Sequence, residues 1–150
     1  MFRPDFLIVA AALTLAGAVS TASAQKPPVK PGPAAKSPVP SVLTTASGVY
    51  TAAQAARGEQ LYMNLCVSCH PAGTYAQQGF RDKWNGAPVA QLFDFVSNMM
   101  PKNEPGTLEM SEYADLIAYV LKVNGAPAGK SPLPPDSAAL RKIRLYLPRR

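Results

Sequence analysis

Cys66, Cys69 and His70 stand in the run CVSCH, and they are the chain's only cysteines and its only histidine. C-x-x-C-H is the attachment pattern of a c-type haem. The spacing follows from the chemistry. Two thiols add to the two haem vinyl groups as thioethers, and two intervening residues let one helical turn set both sulfurs along one haem edge. The next residue then lies under the iron, where its imidazole supplies one axial bond. Other uses of these residues fit less well. A thioredoxin-like redox pair wants a βαβ context, which the sequence lacks. Zinc wants four nitrogen or sulfur ligands, and three are present. A plain disulfide leaves His70 without a role.

A second axial ligand cannot be another histidine of this chain. A thioether is the soft alternative, and SNMMPKNEPG supplies Met99 and Met100. Pro101 ends the preceding helix and fixes the turn, which favours Met100 as the ligand with Met99 packed beside it. The alternative is that both fill gaps in a core, as methionine often does. Met63 lies too near the attachment helix, and Met110 lies beyond the EPGTLEM turn. Iron held by His70 and Met100 has no open position, so it passes electrons without exchanging ligands.

Three helical patterns must position these groups. TAAQAARGEQLYMNLC carries Ala55, Leu61, Tyr62 and Leu65 and has no proline. In PVAQLFDFVSNM, Val89, Leu92, Phe93 and Val96 follow i, i+3, i+4, i+7 spacing, and Pro88 suits a first turn. In SEYADLIAYVLKVNG, Tyr113, Leu116, Ile117, Val120 and Leu121 make one face, with Ser111 as the expected N-cap and Gly125 as the stop. No strand alternation of comparable quality appears.

Outside these patterns the composition changes. Residues 1–24 hold one arginine, an apolar run from Phe6 to Val19 and the small residues TASA, the grammar of an exported leader cleaved after about Ala24. The run is shorter than the roughly 20 residues a spanning helix needs. Export to the periplasm is the expectation, and that oxidising compartment would pair idle thiols; a covalent cofactor consumes them instead. Residues 25–48 are rich in proline, lysine and alanine and read as a disordered linker. Residues 49–125 read as the folded domain. Residues 126–150 read as a basic, proline-rich solvated tail with one short helix.

The formal net charge is +6, and it belongs to the ends. Between Thr51 and Gly125 five basic side chains face seven acidic ones. The high isoelectric point therefore does not argue for nucleic acid as a partner. A basic tail can make weak contact with an anionic membrane surface.

Over about Gly48 to Arg144 the chain resembles class I cytochromes c of the small exported bacterial type. GVYTAAQAARGEQLYMNLCVSCH resembles their N-terminal helix, with Gly58 and Tyr62 where it crosses the C-terminal helix. FRDKW resembles a segment whose tryptophan, here Trp84, packs near the haem; Arg81 and Lys83 beside it are candidates for the propionates or for a solvated face. LFDFVSNMMPKNEPGTLEMSEYADLIAYVLKVNG resembles the Met-Pro loop and closing helix of cytochromes that serve periplasmic quinoprotein or sulfur-compound dehydrogenases. The resemblance implies an all-α cytochrome c fold around one covalent haem c and a one-electron carrier rather than an enzyme. A periplasmic dehydrogenase would be its donor, and an oxidase or another cytochrome its acceptor. The alternatives are a haem subunit of a sulfur-compound oxidoreductase, and a peroxidase or sensor with a labile methionine. One departure stands out. PAGTYAQQGF, residues 71–80, lacks the Gly-Pro whose carbonyl orients the proximal imidazole in such cytochromes, which predicts a changed neighbour for His70 and a more exposed haem edge.

Overall fold

A computed structural model describes residues 42–147. The leader and most of the linker expected at 1–24 and 25–48 lie outside these residues. The described chain runs β1 (Leu43–Thr44), a 3-10 turn (Thr45–Ser47), α1 (Ala52–Leu65), a 3-10 turn (Thr74–Ala76), α2 (Gln78–Trp84), α3 (Val89–Met99), α4 (Met110–Val123), α5 (Ser137–Leu140) and β2 (Ile143–Arg144).

The helix termini have local causes. Thr51 caps α1 by accepting from the Gln54 N–H, as a hydroxyl at that position does. Pro88 immediately precedes α3, whose N–H groups there need no partner inside the helix. At α4 the cap is Glu109 rather than Ser111. Its side chain and that of Glu112 form a reciprocal capping box, which satisfies two terminal N–H groups where a lone serine would satisfy one. Gly125 follows α4 with φ 85°, a conformation that favours glycine.

The frame of the fold is the α1–α4 crossing. Gly58 sits at the closest approach, and a Cβ there would overlap the main-chain carbonyl of Asp115. Beside the crossing Arg57 forms a two-bond ion pair with the buried Asp115, at 2.7 and 2.9 Å. The inner face of α4 buries Tyr113, Leu116, Ile117, Val120 and Leu121, as the i, i+3, i+4 pattern requires.

The reading of 126–150 as a solvated tail is corrected. Leu133, Leu140, Ile143, Leu145 and Leu147 are all buried in the same core as α4. This segment is a strap, fastened at several points. The Gln54 side chain donates to the Leu133 carbonyl at 3.0 Å and accepts from its N–H at 2.7 Å. Tyr50 Oη donates to the Ala126 carbonyl at 2.6 Å. Thr45 Oγ1 bonds both the N–H and the carbonyl of Tyr146. Asn85 Oδ1 accepts from the Leu147 N–H. Nearby, Leu43 and Thr44 of β1 pair in parallel with Ile143 and Arg144 of β2, the one regular strand pairing among the described residues. The ordered domain thus begins before residue 49 and continues past 125. Among the described residues no helix is long and apolar enough to cross a membrane.

Candidate functional site

One cavity of about 1070 Å³ collects the sequence's chemistry: Cys66, Cys69, His70, Trp84 and Met100 all line it. Each arrives by a simple route. α1 ends at Leu65, so Cys66 to His70 form the turn that leaves it, held by the Cys69 and His70 N–H groups on the Cys66 carbonyl. Met100 is the first residue after α3, and its N–H still bonds the Val96 carbonyl at 2.9 Å. Met99 points outward, 54 % exposed, and does not line the cavity. Met63 and Met110 are also exposed and absent from the lining.

The walls are largely aromatic and aliphatic. Leu92, Val96, Leu116, Ile117 and Val120 come from α3 and α4. An aromatic chain runs along the cavity, from Tyr62 to Tyr75 (5.9 Å between ring centroids), Tyr75 to Phe80 (5.4 Å), Phe80 to Trp84 (6.3 Å) and Trp84 to Phe95 (5.7 Å). Leu65 and Phe95 are half-exposed at its rim. They look like misplaced core residues until the cavity is given an apolar occupant.

Lys83 and Arg81 part company. Lys83 lines the cavity, with Nζ 5.0 Å from the Trp84 ring centroid and 5.1 Å from that of Phe95, within cation–π range. Lys102 lines it too, and no carboxylate does. Arg81 is buried elsewhere, on a small polar pocket with Gln78, Asp82, Asn85 and Leu147. Its Nε has no hydrogen-bond partner among the described residues.

In place of the missing Gly-Pro carbonyl, the His70 ring packs against Tyr75 at 5.6 Å between centroids. Among the described residues it makes no hydrogen bond. Burial, with help from Tyr62 and Cys66, pushes the Tyr75 hydroxyl up to about 12. Burial and the neighbouring Cys69 raise the Cys66 thiol as well. A raised thiol is a poor nucleophile at neutral pH, the reverse of what a redox-active Cys-x-x-Cys pair needs.

Two residues that the sequence offered only as parts of helix faces prove to touch the site. Tyr62 Oη donates to the main-chain carbonyl of His70, and Tyr113 Oη donates to that of Met100 at 2.8 Å. The only hint of this in the sequence is a polar atom on an otherwise apolar helix face.

The cavity fits a haem on three independent grounds. Its volume, about 1070 Å³, lies just above the roughly 300–1,000 Å³ usual for cofactor and ligand pockets, as a large flat cofactor requires. Its lining is apolar with two thiols and an imidazole at one turn. Its charged side chains are cationic, which suits an acidic propionate edge.

Residues 53–120 match the family model for "Cytochrome C oxidase, cbb3-type, subunit III". No curated protein and no solved structure matches the chain. The matched stretch runs from the first turn of α1 into the last turn of α4 and contains the whole CVSCH turn. The match covers somewhat less than half of the chain and supports a class I c-type cytochrome domain; the described residues form an all-α cytochrome c-like fold apart from one two-residue strand pair, and the domain implies a covalently bound haem c with iron.

Proposed function

We propose that this protein is a periplasmic one-electron carrier whose haem c is attached at Cys66 and Cys69 and ligated by His70 and Met100. The observation that carries the reading is that Met100, alone among the chain's internal methionines within the described residues, shares the cavity with the CVSCH turn. The haem, when bound, supplies a ferric–ferrous couple that takes and gives single electrons, and a thioether ligand favours the ferrous state.

The chain's own part is to hold and insulate. Cys66 and Cys69 fix one haem edge. His70 and Met100 would both ligate the iron, which would leave no position for oxygen or peroxide. Trp84, Leu116, Ile117 and Val120 exclude water, and Lys83 and Lys102 offset negative charge at the rim. Leu65 and Phe95 leave an apolar edge open to a partner, where electrons enter and leave.

The donor in this reading is a periplasmic dehydrogenase, and the acceptor is an oxidase or another cytochrome. An oxidase-side acceptor is in keeping with the matched family, a subunit of cbb3-type cytochrome c oxidase. The exposed cations of the strap, Arg141, Lys142 and Arg144, suit weak contact with an anionic membrane surface. A second reading, a sensor or peroxidase with a displaceable methionine, draws on one feature: residues 102–107 after the ligand are all exposed.

Visible spectra of the haem-loaded protein, with and without carbon monoxide, decide between the two. Low-spin ferric iron with a methionine–iron charge-transfer band and no carbon monoxide binding supports the carrier. Prompt carbon monoxide binding by the ferrous protein moves the second reading to the front.

A further inference from the structure

We propose that Tyr113 is the positioning residue for Met100: its hydroxyl, carried on α4, fixes the backbone of the ligand residue and so holds the thioether on the iron. The proposal rests on Met100 being the ligand, as argued above.

Tyr113 is fully buried, lines the cavity, and donates to the Met100 carbonyl at 2.8 Å. On the other side of that residue the Met100 N–H is held by the Val96 carbonyl at 2.9 Å. Met100 is therefore gripped at both its main-chain polar groups, by α3 in front and by α4 from the side. Downstream, residues 102–107 are all exposed. The Tyr113 hydroxyl is thus the tie between the ligand's carbonyl and the rigid α1–α4 frame. Tyr62 repeats the device on the other helix of the crossing, where it donates to the His70 carbonyl and, at 3.2 Å, to that of Pro71. The Pro71 carbonyl has a second donor, Thr74 Oγ1 at 2.7 Å, so that side is held twice.

The weaker bond to iron is the thioether, and its retention depends on how little freedom the free side chain gains when it leaves. A net hydrogen bond of ordinary strength corresponds to roughly a 2- to 10-fold change in an equilibrium. Loss of the Tyr113 hydroxyl should therefore make methionine more displaceable by about that factor without vacating the iron.

The test titrates the ferric, haem-loaded protein with imidazole and follows the methionine–iron charge-transfer band. Tyr113→Phe should keep the band and bind imidazole roughly 2- to 10-fold more tightly. Leu121→Val loosens α4 outside the cavity and should leave imidazole affinity unchanged while lowering Tm. If Tyr113→Phe binds imidazole like the parent while Met100→Ala abolishes the band, the positioning role is wrong and the ligand assignment stands. If Met100→Ala keeps the band, the ligand assignment itself falls. If Leu121→Val tightens imidazole as much as Tyr113→Phe does, the effect is general loosening and the proposal is overturned.

Discussion

At the scale of single residues, the site is decided by which way two neighbouring methionines face. Met100 enters the cavity and Met99 faces solvent because α3 ends between them. Met100→Ala should abolish the methionine–iron band and open the iron to carbon monoxide, while Met99→Ala should leave both spectra unchanged. The CVSCH residues were legible in the sequence because covalent attachment demands a fixed spacing. The roles of Lys83 and Arg81 were not, since neighbours on a short helix point to different sides and only packing says which side is the cavity.

Buried tyrosines give the residue scale a pH dependence. Burial raises the Tyr50 hydroxyl against the smaller opposing pull of Lys122. Its folded value lies above the unfolded value of about 10. The stabilisation is therefore complete below pH ~10 and is lost as pH rises through the folded value. Denaturant midpoints measured across the alkaline range should fall from about pH 10, and less steeply in Tyr50→Phe. An alkaline profile as steep in the variant as in the parent would count against this assignment.

Elements carry the next set of consequences. α1 and α4 touch at Gly58, so Gly58→Ala forces a methyl group against the Asp115 carbonyl. Backbone cannot swing aside as a side chain can, and a cost of at least about 1–3 kcal/mol follows, readable as a lower denaturant midpoint. The Gln54 clamp on Leu133 is the second test. Gln54→Ala leaves a buried N–H and a buried carbonyl without partners, at about 2–6 kcal/mol together. Haem absorption should persist while Tm drops.

The three long helices could be read from periodicity, but α2 and the strap could not. QGFRDKW is a seven-residue helix too short to show a period, and it is held by burying Arg81 and Trp84. Leu133 and Leu140 stand apart among prolines with no period, and Ile143, Leu145 and Leu147 alternate with exposed Arg144 and Tyr146 over too few residues to mark a strand by themselves. The strap is held by hydrogen bonds to residues far away in the chain. The cap of α4 shows the same limit in miniature: Ser111 and Glu109 both suit the position, and the capping box with Glu112 selects the latter.

For the molecule as a whole, the described domain is built around a space it does not fill. α3, α4 and the CVSCH turn all present side chains to one cavity. The haem serves as part of the core, and small domains have little burial to spare. The haem-free chain should therefore show weak helical circular dichroism and no cooperative melt, both recovered on attachment. Native-like helicity with a sharp transition in the absence of haem would contradict this.

The parallel pairing of β1 with β2 has a mechanical consequence. Leu43 stands beside Ile143 and Thr44 beside Arg144, so the domain is nearly closed into a ring. A force pulling residue 43 away from residue 144 along the strands loads their hydrogen bonds, and those of Thr45 with Tyr146, in shear. All must then yield together instead of peeling one by one. Tension on the ends would be met at this lock, and the axial bonds would feel it only after the lock had failed.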